Sequence, residues 1–366
     1  MTFRRFLVPL GLLMLAACSS GSGSNNTNLP VANAPQLSTQ SLTQAAETSG
    51  VTSLPSFRID PGKVFVAGIS SGGFFAVQMQ VAHSATFKGA AVYAGGVYYC
   101  AQNSVAIALA ACGGEGLYAG TLTESEAYLD LASSQGLIDN KSNLAGQPVY
   151  LWSGANDTVV NPKEMNDLQT EYEHYGARPI VYDSSYPAEH GWESPEGSLA
   201  CGTLGEPYMI ACDRGSRVYD SEQTWLQMFF GRLSPRNNGT LRGQLVQFNQ
   251  SEFGATASNS MDTTGYVYVP RSCAQGQRCG LVVAFHGCLQ TQADIGNKYA
   301  TESGIDPWAD SNGIIVLYPY AIKSATVPYN PQGCWDWWGY DDPNYSVKSG
   351  TQISIVYKMI QRLMGQ

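Results

Sequence analysis

Val64-Phe65-Val66-Ala67-Gly68-Ile69-Ser70-Ser71-Gly72-Gly73 decides the reading of this chain. Its first residues are apolar and partly β-branched, which predicts a buried strand. The strand runs straight into Gly-x-Ser-x-Gly, and Phe74-Phe75-Ala76-Val77-Gln78-Met79-Gln80-Val81 then reads as a helix. In a strand–turn–helix setting the central serine sits at the tip of a strained turn. The glycines beside it keep Cβ atoms from colliding with strand and helix. Ser70 Oγ is thereby exposed, the helix N-terminus lies beneath it, and the N–H of Ser71 points to where an oxyanion would form. The alternative is a glycine-rich turn with no chemistry. The flanking strand and helix favour a nucleophile.

On the C-terminal side of this stretch, strands and helices alternate. Gly89–Gly96, Pro148–Gly154, Pro179–Asp183, Gly265–Val269, Gly280–Phe285 and Gly313–Pro319 read as strands. Glu124–Ser134, Pro162–Tyr175, Ser221–Arg232, Gln292–Glu302 and Ser349–Met364 read as helices, with Asn161 as a cap and Pro162 at the first helical position. The pattern predicts an α/β fold with a mainly parallel sheet and helices on both faces. No internal repeat or second linker interrupts it, so residues 51–366 are expected to form a single catalytic domain.

The 366 residues carry a formal net charge of −9, and only 13% are charged. No Lys/Arg run or basic patch is legible, which argues against nucleic acid as a partner. The N-terminus has a targeting signal: Arg4 and Arg5, an apolar run from Phe6 to Leu15 too short to span a bilayer, then Leu15-Ala16-Ala17-Cys18. Residues 1–17 read as a signal peptide, with Cys18 the lipidated first residue of a cell-envelope lipoprotein; plain secretion is the alternative. Residues 18–50, rich in Ser, Asn, Gly, Thr and Pro, read as a flexible tether.

Nine cysteines are present, and eight remain if Cys18 carries lipid. An even number in an exported chain implies disulfides, although sequence alone fixes no pairing. Neighbour spacing suggests Cys100 with Cys112, Cys201 with Cys212 and Cys273 with Cys279, which would leave Cys288 and Cys334. A zinc site is poorly supported, because no C-x-x-C or H-x-x-x-H spacing occurs.

A serine hydroxyl needs a base, and there are four histidines. His83 lies on the helix after the turn and His174 ends another helix. His286 sits in a strand-end His-Gly. His190, in a loop after a strand, is the best-placed base. Asp157, just past the Pro148–Gly154 strand, is its expected acid; an Asx-turn or cap role is the alternative. The order Ser70, Asp157, His190 is that of an α/β-hydrolase. A second oxyanion donor ordinarily precedes the nucleophile. Here the matching stretch, Phe285-His286-Gly287-Cys288-Leu289-Gln290, follows it by more than 200 residues. That order makes sense if the fold is circularly permuted and opened before the nucleophile strand.

On these residues, together with Ser153-Gly154-Ala155-Asn156-Asp157 and Gly333-Cys334-Trp335-Asp336-Trp337-Trp338-Gly339-Tyr340, the chain resembles the poly(3-hydroxybutyrate) depolymerase family, in its permuted branch. The resemblance spans roughly residues 55–366. It implies a serine esterase acting on polyester or oligoester, with Ser70 as nucleophile, Asp157 and His190 as partners, and the amides of Ser71 and Cys288 as the oxyanion hole. It also implies a Cys288–Cys334 bridge that pins the tryptophan-rich loop. Many extracellular members carry a separate polymer-binding domain, and none is legible here, so adsorption would use the catalytic domain's own surface. Trp335, Trp337 and Trp338 are candidate groove residues, with core packing as the alternative. No metal or organic cofactor is implied. The competing functions are a feruloyl or acetyl esterase on plant polysaccharide, and a non-catalytic binding lipoprotein on a hydrolase scaffold.

Overall fold

A strand that is apolar on every residue belongs in the middle of a sheet covered on both faces, and Val64–Ile69 is found there. The computed structural model describes residues 50–113, 121–214 and 217–366. The signal segment, Cys18 and the tether up to residue 49 lie outside these residues. The main sheet has eight strands: β1 (Ile59–Ile69), β2 (Ala90–Tyr93), β3 (Val149–Trp152), β4 (Ile180–Asp183), β5 (Gln244–Asn249), β6 (Thr264–Val269), β7 (Cys279–Phe285) and β8 (Ile314–Tyr318). Their spatial order is β5-β6-β8-β7-β1-β2-β3-β4. From β8 to β4 all neighbours are parallel, and β5 and β6 add an antiparallel edge.

The first strand of the chain thus stands at the centre. The first four strands run outward to one edge, and the last four fill the other half. This is the permuted order expected from the sequence. It brings β1 and β7 side by side, with Gly68 opposite Phe285. The stretches after them, at Ser70 and at His286–Cys288, therefore meet although more than 200 residues separate them in sequence.

Side chains of β1 alternate between two cores, as the period of two in a strand requires. Val64 and Val66 pack with helix α1 (Ser71–Ala82) and helix α5 (Thr351–Met364). Phe65, Ala67 and Ile69 face the other layer, with Tyr93, Trp152, Trp192 and Trp225, the last on helix α4 (Ser221–Phe230). Helices α2 (Thr121–Ser134) and α3 (Pro162–His174) complete the cover.

Three details differ from the sequence reading. Gln244–Asn249 forms an unforeseen strand; it is the sheet edge, half solvated, and so carries three amide side chains. The helix expected over Gln292–Glu302 breaks into two short turns at Gly296, whose φ is +65°. A helix at Ile305–Asn312 carried no clear signal because Pro307 interrupts its pattern, and a proline is tolerated there in the first turn. Among the described residues no helix is long and apolar enough to cross a membrane.

Candidate active site

Ser70 has φ +56° and ψ −125°, a conformation that L-residues seldom adopt. Such a turn stores about 1–3 kcal/mol. It persists because the surrounding backbone leaves no alternative. A Cβ on Gly68 would stand 2.1 Å from the Gly72 carbonyl oxygen, and one on Gly72 would stand 2.3 Å from the carbonyl oxygens of Phe285 and His286. The two glycines of the motif are thus required by the close approach of α1 to β1 and β7. Ser70 N–H donates to the Tyr93 carbonyl at 2.9 Å, and α1 begins at the next residue.

The candidate base and its candidate acid come from loops after β4 and β3. His190 Nδ1 lies 2.9 Å from Asp157 Oδ2, and their side chains are 6% and 1% exposed. The other carboxylate oxygen accepts the N–H groups of Val159 (2.9 Å) and Val160 (2.8 Å). A carboxylate held in this way accepts the hydrogen bond from Nδ1–H and leaves the Nε2 lone pair free, the tautomer a general base needs. The two loops are joined by backbone bonds, Ala155 N–H to Tyr186 O and Asn156 N–H to Ala188 O. Gly154 allows this approach, since its Cβ would stand 2.3 Å from the Ala188 oxygen.

Sequence reasoning missed Glu189. Its carboxylate accepts from His190 N–H (3.0 Å), Thr158 N–H (3.2 Å) and Thr158 Oγ1 (3.0 Å). It therefore ties the residue after Asp157 to the backbone of His190. Only its adjacency to His190 could have signalled this, since Thr158 is 31 positions away.

On the opposite side, His286 does not serve as a base. It is fully buried, Nδ1 donates to Gly287 O at 2.7 Å, and Nε2 accepts Ala321 N–H at 3.0 Å. Burial lowers its pKa to about 4, so it is a neutral pin for the turn that follows. Gln290, also buried and also missed, accepts Gly287 N–H at 2.6 Å and donates to Pro207 O at 2.7 Å. The turn presses against Ser70: a Cβ on Gly287 would stand 3.1 Å from Ser70 Cβ. Cys288 is bonded to Cys334, and its N–H finds no partner among the described residues. The other bridges are Cys100–Cys112, Cys201–Cys212 and Cys273–Cys279. Four disulfides mark an oxidising compartment and so an exported chain. His83 is likewise buried, stacked on Tyr357, with its pKa lowered to about 4 by burial; His174 is surface-exposed beside Glu126.

Two cavities meet at Ser70. One, of ≈ 280 Å³, is lined by Phe74, Val105, Leu109, Trp337 and Trp338. The other, of ≈ 250 Å³, is lined by His190, Tyr208 and Gln290. Both share Ser70, Val159, Cys288 and Gln332, and Ser71 lines the first. Trp337 stacks on Phe74 with ring centroids 4.3 Å apart. Trp335 departs from its companions: it is fully buried between Phe75 and Phe285 and lines neither cavity, so it is a core residue and not a groove residue. Asp336, buried next to it, accepts the N–H groups of Gly339, Tyr340, Asp341 and Asp342 and shapes the tryptophan loop.

A permuted α/β sheet with a strained serine at the end of its central strand defines an α/β-hydrolase. No family model matches the chain. A poly(3-hydroxybutyrate) depolymerase of Delftia acidovorans is 41% identical over 317 residues, covering 85% of this chain and 61% of that relative. A polyhydroxybutyrate depolymerase of Talaromyces funiculosus is 36% identical over 328 residues, covering 86% of this chain and 93% of the relative. The crystal structure of PHB depolymerase from Penicillium funiculosum matches with a TM-score of 0.79 at 36% identity, over 86% of this chain and 99% of that one. A serine-to-alanine variant of PHB depolymerase complexed with an R3HB trimer matches with the same TM-score at 35% identity, over 86% of this chain and 99% of that one. The chain belongs to the poly(3-hydroxybutyrate) depolymerase family, whose members are carboxylic ester hydrolases.

Proposed function

We propose that this chain hydrolyses poly(3-hydroxybutyrate) or its oligomers through a Ser70–His190–Asp157 triad and an acyl-enzyme. The observation that carries this reading is the meeting of two cavities at Ser70, one bounded by His190 and the other by apolar side chains. His190 Nε2 takes the Ser70 proton as Oγ attacks the ester carbonyl. The N–H groups of Ser71 and Cys288 receive the tetrahedral oxyanion. His190 then gives its proton to the leaving hydroxyl, and water repeats the sequence on the acyl-enzyme. Because the leaving oxygen must lie next to His190, the alcohol side of the scissile bond occupies the ≈ 250 Å³ cavity. The acyl side then lies against Trp337, Trp338 and Phe74, a surface suited to methyl-bearing ester units with few hydrogen-bond donors.

Adsorption to solid polymer would use the rim of this mouth. Val105, Leu109 and Val159 are 56%, 70% and 40% exposed there, which is unusual for large aliphatic side chains grouped together. Residues 51–366 act as one catalytic domain in this reading. Residues 1–17 direct export, and Cys18 carries lipid that holds the domain at the cell envelope on the 18–50 tether.

The test is a substrate panel. Release of 3-hydroxybutyrate oligomers from amorphous granules or soluble oligoester supports the reading. Release of ferulate or acetate from plant polysaccharide with no action on polyester would replace it. Failure to cleave any short p-nitrophenyl ester would leave a binding protein. The anchor is tested separately by mass spectrometry of the mature N-terminus, where a free amine on an unmodified residue would refute it.

A further inference from the structure

The formal charge of −9 hides one concentration of positive charge. At the end of the sheet opposite Ser70, a cleft of ≈ 500 Å³ is lined by Arg242, Arg271 and Arg278. They come from separate stretches: Arg242 precedes β5, Arg271 follows β6, and Arg278 precedes β7. Because β7 runs parallel to β1, its length of about 20 Å separates the arginines from the catalytic end.

These guanidinium groups face outward. Arg242 and Arg278 are 64% and 60% exposed, with one carboxylate neighbour each, Asp310 at 3.4 Å and Asp60 at 3.1 Å. Arg271 is exposed, and its side chain has no hydrogen-bond or ion-pair partner among the described residues. Asp310 is turned inward: its side chain is 1% exposed and accepts from Tyr268 Oη, Asn237 Nδ2 and the N–H groups of Arg242 and Gly243. The rest of the lining is mostly neutral and rich in donors, with Ser272, Gln275 and Asn312 among it. An adjoining cavity of ≈ 650 Å³ shares Arg242, Arg271 and Gln275 and is bounded by Pro55 and Phe57. The basic face therefore lies a few residues from the start of the domain. Clustered, exposed guanidinium groups with uncommitted donors suit phosphate oxygens, which they bind in a bidentate manner.

We propose that this arginine cleft docks the domain on an anionic lipid surface through phosphate headgroups and leaves the Ser70 end facing away from it. The inference takes the source of that surface from the envelope location argued above, but the binding does not require lipid on Cys18. Docking would add to a single acyl anchor, which by itself holds a protein only marginally.

The test uses the mature chain carrying Cys18→Ser, which cannot be lipidated, and flotation with vesicles. One set contains phosphatidylglycerol and phosphatidylcholine, the other phosphatidylcholine alone. Binding is expected to the anionic vesicles only. Arg242→Gln/Arg271→Gln/Arg278→Gln together should weaken it about 100-fold, and Arg271→Gln alone about 5-fold. Arg271 has no partner to lose, so the single variant keeps the test valid should the triple variant misfold. Lys141→Gln/Lys163→Gln/Lys348→Gln, an equal charge change on other surfaces, should bind like the parent. Turnover of a soluble ester should be unchanged throughout. Equal loss in both triple variants, or no binding to anionic vesicles, would overturn the proposal. Binding of inorganic phosphate without vesicle binding would overturn it in favour of a free-phosphate site. Polyester hydrolysis and Cys18 lipidation are measured independently, so their failure cannot be mistaken for failure of the cleft.

Discussion

Ser70 and Cys288 are held by adjacent strands, a disulfide and backbone too close to admit a Cβ, whereas Asp157 and His190 are held by two loops joined through polar contacts. The first half is set by volume and covalent connection. The second is set by charge and hydrogen bonding, with Glu189 clamping both loops from outside. In the proposed mechanism the contrast follows from what each group would do. An oxyanion donor works only at a fixed distance from the nucleophile, so its frame must not yield. A base has to exchange a proton and change charge, so it is better surrounded by groups that stabilise the imidazolium.

Ser70→Ala should reduce ester turnover by about 10⁴-fold or more while leaving the melting temperature unchanged, since both halves lose the atom they serve. A folded Ser70→Ala protein with near wild-type turnover would end the proposed mechanism. On the polar half, His190→Ala should be comparably damaging, and Asp157→Asn should cost about 10⁴-fold through the wrong imidazole tautomer. Retained activity in His190→Ala, with loss in His174→Ala or His83→Ala, would show that another histidine is the base.

On the rigid half, Cys334→Ser should lower kcat on small esters about 10²–10³-fold by freeing the Cys288 amide. The loss should be larger on polymer, where the loop carrying Trp337 and Trp338 also matters. Cys201→Ser is the control. Its bridge closes 11 positions against 46, a loop-closure difference of about 1 kcal/mol, and supplies no oxyanion donor. It should mainly lower thermal stability. Equal kinetic damage from both variants would erase the distinction between the halves.

A smaller effect sharpens the contrast. Glu189→Gln keeps the shape of the clamp and removes its charge. It should lower kcat about tenfold at unchanged KM on a soluble ester, because the loops remain paired but less well aligned. A change in KM alone would place Glu189 against substrate instead.

The smallest expected effect concerns pH and belongs to the rigid half. The His286 pKa in the folded chain is about 4, below its unfolded value of 6.5. The unfolded state therefore binds the proton first. The stabilisation from neutral His286 is complete above pH 6.5 and is lost as pH falls toward 4. Between pH 7 and pH 5 this costs about 2 kcal/mol. Chemical unfolding of wild type and His286→Asn at both pH values measures it. An identical pH dependence in the two proteins would contradict a neutral, buried His286.

The serine motif was legible because strand, glycines and helix follow one another without interruption from Val64 to Val81. The order Ser70, Asp157, His190 and the late His286-Gly287-Cys288 also made the permuted sheet legible, since strand character is written in apolar runs. Gln244–Asn249 was not legible because an edge strand is only half buried and lacks such a run. Trp335 could not be told from Trp337 and Trp338 by composition. Three tryptophans in four residues look alike until α1 supplies Phe75 to bury one and Phe74 to carry another.

The Ser70 turn, the mainly parallel α/β class and the cysteine content could be read from the chain alone, because each rests on residues close together in it. Tertiary structure alone decided which distant groups meet. Glu189 became a clamp only when the loops after β3 and β4 came together. No basic patch was legible in the sequence, yet Arg242, Arg271 and Arg278 line one cleft. The reason is physical. A charge run is read along the chain, whereas an electrostatic surface is built across strand ends, and parallel strands gather at one end residues that the sequence keeps far apart.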